Sequence, residues 1–233
     1  MPYAQGMQRM QHAIQQVQQR MQHSQKPAVQ GQLLLLQHKP VITYTRSKGT
    51  QHVLLPKEQL VKTGVDVVVA DRGGDVTFHD QGQLVGYPIV PISRRHNFMA
   101  IGRYLHALQE ALLYVCKSTG VPHCRLIRGK TGVWVCRPGS QPAKLVAVGV
   151  GVNAQGISRH GFAVNVCTHL QRMQRCIVPC GLVDTTVTNL YEQLQKLHQP
   201  LPSFQQLCTE IARSIAQQLQ LAVQWATPYP TTN

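Results

Sequence analysis

The chain has 233 residues, enough for one sizeable α/β core, and no stretch of it approaches the ~18 uninterrupted apolar residues that a helical membrane span requires. Its 23 Lys and Arg outweigh 9 Asp and Glu, and no acid precedes Glu58, so the surface attracts polyanions or acidic proteins. Aromatic residues total 6% and no basic run exceeds Arg94-Arg95, which withholds the stacking platform of a nucleic-acid reader and leaves an acidic protein as the favoured partner.

Residues 1–25 place Tyr3, Met7, Met10, Ile14, Val17 and Met21 four and three apart, the seam of an amphipathic helix docked on its own domain. Because that helix starts at Tyr3, a leader has no room, and a cytoplasmic setting is expected, with a mitochondrial one as the alternative. After a loop at 24–30, the apolar run Leu33-Leu34-Leu35-Leu36 reads as a buried strand, followed by strands at 41–45 and 65–70. A polar, glycine-bearing loop covers 71–82, and a strand at 84–90 is closed by Pro91. From Asn97 as N-cap, Phe98, Ile101, Leu105, Leu108, Leu112 and Val115 keep helical spacing. Strands at 132–137, 144–152 and 157–166 are separated by turns at Pro138-Gly139-Ser140 and 153–156, a pattern that favours antiparallel hairpins. Asn189 with Glu192 and Ser203 with Gln206 resemble capping boxes opening two closing helices, the second lined by Phe204, Leu207, Ile211, Ile215 and Leu219. Residues 221–233 read as an irregular tail. One domain over 1–233 follows, of class α/β (α+β), a mixed, mostly antiparallel sheet with packed helices.

Seven cysteines, an odd number without a regular framework, fit a reducing compartment. Cys116, Cys124, Cys136, Cys167, Cys176 and Cys208 mostly read as small core hydrophobes. Cys180 differs, because Val178-Pro179-Cys180-Gly181 sets a thiol on a Pro-Gly corner that a substrate could approach closely. Lys144 opens the apolar strand Leu145-Val146-Ala147-Val148 and is the residue to pair with that thiol, although a strand-end lysine can also simply snorkel to water. A cysteine near pKa ~8.5 and a lysine near ~10.4 share a proton that prefers the amine, so a thiolate beside an ammonium is reasonable. Ala147, Gly149, Gly161 and Ala163 are small residues on strands rich in Val and Phe, which leaves volume for an aliphatic chain or for a closely packed helix. The segment Arg72-Gly73-Gly74-Asp75-Val76-Thr77-Phe78-His79 combines paired glycines with charge and hydrogen-bonding groups; it is neither a dinucleotide fingerprint nor a P-loop.

Taken in order, the 72–79 segment, Gly82-Gln83-Leu84 with Tyr87-Pro88, Lys144-Leu145-Val146-Ala147-Val148-Gly149, His160-Gly161-Phe162-Ala163-Val164-Asn165-Val166 and Val178-Pro179-Cys180-Gly181 resemble the octanoyl-[acyl carrier protein]:protein octanoyltransferases of lipoate biosynthesis, the lipoate-protein ligase B type. The resemblance spans about 3–219. It implies a biotin/lipoate protein ligase catalytic fold, a Cys180 nucleophile assisted by Lys144, and an acyl pocket lined by Arg72, Gly73, Gly74, Asp75, Val76, Thr77, Phe78 and His79. Ala147, Val148 and Gly149, with Gly161, Phe162 and Ala163, would complete that pocket. It further implies octanoyl-acyl carrier protein as donor, and lipoyl domains of 2-oxoacid dehydrogenase acyltransferase subunits and the glycine cleavage H protein as acceptors, with no cofactor, metal, nucleic acid or membrane. His79 and His160 would orient loops or substrate.

Two departures stand out. His79-Asp80-Gln81-Gly82-Gln83 replaces the family's usual His-Gly-Pro-Gly-Gln and leans toward the ATP-dependent lipoate-protein ligases of the same fold, the alternative activity. Gln37-His38-Lys39-Pro40 departs from the family's acidic-His-x-Pro and is expected to affect surface or folding more than catalysis. A zinc module drawn from Cys167, His169, Cys176 and Cys180 lacks the usual ligand spacing.

Overall fold

Period-two alternation along apolar strands builds a sheet that needs cover on both faces. The computed structural model describes residues 1–23, 31–92, 101–179 and 186–221. Among these, β1 (Gln32–Leu36), β5 (Gln83–Ile89), β9 (Ser158–Asn165), β8 (Ala143–Val152), β7 (Lys130–Val135) and β6 (Cys124–Ile127) lie side by side in that order, each antiparallel to the next. A short β10 (Thr186–Val187) adds to β8 in parallel. The hairpins fall where turn chemistry demands them: at the β8–β9 turn, Asn153 Oδ1 accepts from the backbone N–H of Gln155 and Ile157.

Helix α1 (Tyr3–His23) covers one face, with Met10, Ala13, Ile14 and Val17 packed on Val85, Tyr87 and Ile89 of β5. Burying Ile14 and Val17 contributes roughly 1.5–3 kcal/mol each, so this helix is held by its apolar seam. On the other face, α3 (Ile101–Ser118) and α6 (Phe204–Gln218) pack on each other and on the sheet through Tyr104, Leu108, Leu112, Leu207, Ile211 and Ile215. Ser203 and Gln206 form a complete capping box on α6, and Asn189 Oδ1 accepts from Glu192 N to cap α5 (Leu190–Gln195). Asn97 and Phe98, expected to open the long helix, and the tail from 222 onward lie outside the described residues.

A second, three-stranded sheet stands beside the first, ordered β3 (Asp66–Ala70), β2 (Val41–Thr45), β4 (Thr77–His79). The parallel β2–β3 pair is connected through α2 (Lys57–Lys62), whose Leu60 joins Ile42, Phe78 and Ile177 in a third core closed by α4 (Leu170–Cys176). Strand β4 falls inside the expected 71–82 loop; three residues are too few for alternation to announce a strand. Among the described residues no helix is long and apolar enough to cross a membrane.

Candidate active site

A cavity of about 500 Å³ opens between the main sheet, the small sheet and the start of α1. Its floor is the stripe of small residues. Ala147 lies directly opposite Ala163, and Gly149 directly opposite Gly161, on the β8–β9 pair, so four minimal side chains face one space. Backbone is drawn close at both glycines. A Cβ on Gly149 would stand 2.8 Å from the Gly73 carbonyl, and one on Gly161 would stand 2.2 Å from the Gly86 carbonyl, so neither position admits a side chain without movement. Val148 and Phe162 also border the cavity while belonging to the core on the opposite face.

The facing wall comes from the glycine-rich segment. Arg72, Gly74, Asp75, Thr77 and His79 line the cavity. Strand alternation turns Val76 and Phe78 the other way, into the third core, where they border only a crevice of about 20 Å³. Gly73 lines neither space; its N–H donates to Val150 O at 2.8 Å and ties the loop to β8. Arg72 fixes the same loop to β2, donating to Thr43 O at 3.0 Å and Thr43 Oγ1 at 2.8 Å.

Lys144 reaches the cavity because β8 carries a bulge. Val133 pairs with Val146 but the next residue, Trp134, pairs with Lys144, so Leu145 is one residue too many. Without it Lys144 would share the face of Val146, which is buried in the core under α3 and α6. The extra residue re-aims the side chain to the face of Trp134, a recurrent use of bulges beside functional sites. There Lys144 is 5% exposed, its Nζ lies 4.5 Å from the Trp134 ring centroid, and it lines both the cavity and the crevice. Cys180 and Gly181 lie outside the described residues. Pro179, immediately before Cys180, borders the crevice that Lys144 also borders.

Buried imidazoles and phenols close the remaining side. His38 is buried, with Nε2 2.7 Å from Tyr87 Oη, and its ring lies between those of Tyr3 at 5.2 Å and His79 at 5.5 Å. Burial lowers the His38 pKa to about 4, with the N-terminal ammonium adding to the effect, and burial takes His79 to about 3, with His38 adding to it. His79 Nδ1 donates to Gln83 Oε1 at 2.7 Å, which holds a single ring orientation. His160 adopts φ 56 within β9, an uncommon backbone for a non-glycine residue, and its Nε2 is 2.6 Å from Asp71 Oδ1. Burial lowers the His160 pKa against the pull of that carboxylate. Burial also raises the Asp71 carboxyl, but the His160 hydrogen bond and Arg159 outweigh it and hold the group below its usual value. His38 is thus an interior residue bonded to Tyr87, which lines the cavity.

Sequence reasoning passed over Tyr3, Lys48, His52, Val85, Lys130 and Thr131 as cavity residues. Tyr87 stood inside a quoted motif and so carried a signal; Lys48 and His52 sit in a stretch without periodicity and carried none. Cys167, one of six described cysteines, is exposed rather than core. Of the drawn zinc ligands, Cys176 is buried in the third core and His169 caps α4 through Nδ1; among the described residues no three potential ligands converge.

The cavity thus sets a narrow apolar floor under a wall of polar and cationic groups, the lining of a small-molecule site. The chain belongs to the lipoyl protein ligase A/B catalytic domain family, which matches it over residues 7–216. An octanoyltransferase of Koribacter versatilis is 40% identical over 168 residues, covering 72% of this chain and 65% of that protein. An octanoyltransferase of Acidobacterium capsulatum is 38% identical over 199 residues, covering 83% and 79%. The chain therefore spans just under two thirds of the first relative's length and over three quarters of the second's. Among solved structures, a lipoate-protein ligase A bound with ATP superposes with a TM-score of 0.69 at 16% identity, covering 96% of this chain and 85% of that one. A bipartite lipoate protein ligase from Thermoplasma acidophilum, studied with its E2 lipoyl domain, gives 0.69 at 15%, covering 96% and 83%. These two likenesses show the fold.

Proposed function

We propose that this protein transfers an octanoyl group from octanoyl-acyl carrier protein to a lysine of lipoyl domains through an octanoyl-Cys180 thioester. The observation that carries the reading is the bulge at Leu145, a strand irregularity that buries a lysine beside Trp134 at the cavity. The Cys180 thiolate attacks the carrier thioester: a new C–S bond forms, the carrier's C–S bond breaks, and the Lys144 ammonium hands the departing thiolate a proton. Lys144, now neutral, accepts a proton from the acceptor amine as the amide forms. Exchange of one thioester for another is nearly isoenergetic and thioester to amide runs downhill, so no nucleotide is required. Ala147, Gly149, Gly161 and Ala163 take the aliphatic tail, and Arg72, Thr77 and His79 shape the polar wall. The acceptors are lipoyl domains of 2-oxoacid dehydrogenase acyltransferase subunits and the glycine cleavage H protein, acidic partners that the net charge of +14 would recruit.

His79-Asp80 favours a second reading, ATP-dependent ligation. Asp80 is nevertheless engaged, its Oδ2 3.1 Å from Arg172 Nη1 and its side chain largely buried, in the manner of a structural carboxylate. Lipoyl domain incubated with octanoyl-carrier and no nucleotide should gain the octanoyl mass. Modification only with free octanoate plus ATP would overturn the transferase reading.

A further inference from the structure

His52 and Asp75 both line the cavity and bond to each other there. The His52 carbonyl accepts from Val178 N at 2.9 Å, Leu54 N donates to Cys176 O at 2.8 Å, and Val53 bridges Ile177. His52 is thus fastened to the segment that leads into Cys180. Its Nδ1 lies 2.7 Å from Asp75 Oδ2. A carboxylate only accepts, so Nδ1 donates, and Nε2 is the ring nitrogen left to accept a proton.

Asp75 is 9% exposed, and its second oxygen, Oδ1, is buried without a hydrogen-bond partner among the described residues. With Oδ1 closed off, the carboxylate acts through the Oδ2 bond that orients His52. Asp75 is also the one carboxylate among the described cavity-lining residues, which otherwise bring Lys48, Arg72, Lys130 and Lys144. Asp75 is therefore the one charge among those lining residues that attracts a cationic substrate.

We propose that His52, oriented by Asp75, forms the acceptor-amine subsite, its Nε2 taking a proton from the incoming lysine ammonium. The inference rests on the acyl-transfer reading of the same cavity. It answers a stoichiometric demand. An ammonium nitrogen carries three N–H bonds and an amide nitrogen one, so two protons must leave. The first N–H bond breaks to His52 Nε2 and frees the lone pair. That pair forms the C–N bond as the acyl C–S bond breaks to thiolate, and the second proton passes to neutral Lys144. The products are amide, Cys180 thiolate, Lys144 ammonium and a His52 imidazolium that returns its proton to water; charge and protons balance.

The test separates the two half-reactions in the full chain. Octanoyl-carrier is mixed with His52→Gln, acyl-enzyme formation is timed by intact mass spectrometry, and a lipoyl domain is then added to time its decay. The second step should slow at least ~100-fold more than the first, within the range expected for loss of a general base. Hydroxylamine, a nucleophile already neutral at pH 7, should discharge the variant's acyl-enzyme at the parent rate, and added imidazole should restore part of the transfer in His52→Ala. Equal slowing of both steps, or of neither, overturns the inference. Should His52→Gln not fold, Asp75→Asn is held to the same ratio. A parent protein that forms no acyl adduct overturns the acyl-transfer reading, and this inference falls with it.

Discussion

Lys144 faces Trp134 across the β7–β8 pair, Nζ 4.5 Å from the ring centroid, because Leu145 is an unpaired extra residue between them and the next rung. A lysine on a regular strand would have shared the face of Val146 and met the α3–α6 core. The irregularity therefore stands between a lysine buried at a loss and one poised in the cavity.

Lys144→Met keeps the length and apolar stem of the side chain and removes the ammonium. Transfer from octanoyl-carrier should fall at least ~100-fold, the scale on which a positioned proton donor and acceptor acts. The urea midpoint should stay near that of the parent, since replacing a buried charge by an apolar group of similar size is often neutral or stabilising. A variant that loses stability while keeping its rate would assign Lys144 to the scaffold.

Ala147 borders both the cavity and the crevice, opposite Ala163. Ala147→Leu adds about three methylene-sized groups to the floor. If that floor holds the acyl tail, the ratio of octanoyl to butanoyl transfer should drop at least ~10-fold, because each buried methylene is worth about 0.8 kcal/mol. Rates measured with both carriers check this; an unchanged ratio places the tail elsewhere.

His38 and His79 make stability depend on pH. Both titrate near ~6.5 in an unfolded chain, whereas burial takes them to about 4 and about 3 in the fold. The unfolded state then binds more protons than the native one below ~6.5, so their contribution is complete above that pH and is lost as pH falls toward 4 and 3. Unfolding free energy should decline by at most about 1.4 kcal/mol per pH unit for each histidine across that window. Urea unfolding at roughly pH 7 and 5 should show the decline, with a shallower slope in His38→Gln. Identical slopes in parent and variant would contradict the assignment.

The long elements were legible. The 3.6-residue seam of α1, the apolar run of α3, the capping boxes and the Gly and Asn turns each state their structure locally, and α1, α3, α6 and the β7–β8–β9 meander lie within a few residues of expectation. Short elements were not. Helix α2 presents one buried residue, Leu60, and β10 has two residues, fewer than any period can show. Helix α4 did carry a signal in Leu170, Met173 and Cys176 at threefold spacing, too short a run over seven residues to stand out. The small residues at 147, 149, 161 and 163 were legible as a stripe, but their opposition across two strands is a matter of register. The orientation of Lys144 was invisible, because a bulge is defined by the partner strand and not by the strand that contains it. His52 and Asp75 meet through a fold that brings together residues 23 positions apart.

The most direct measurement is the intact mass of the protein after brief incubation with octanoyl-carrier. One octanoyl increment should appear, map to the peptide containing Cys180, vanish in Cys180→Ala, and discharge when a lipoyl domain is added. No adduct, or an adduct that persists in Cys180→Ala, would contradict the account.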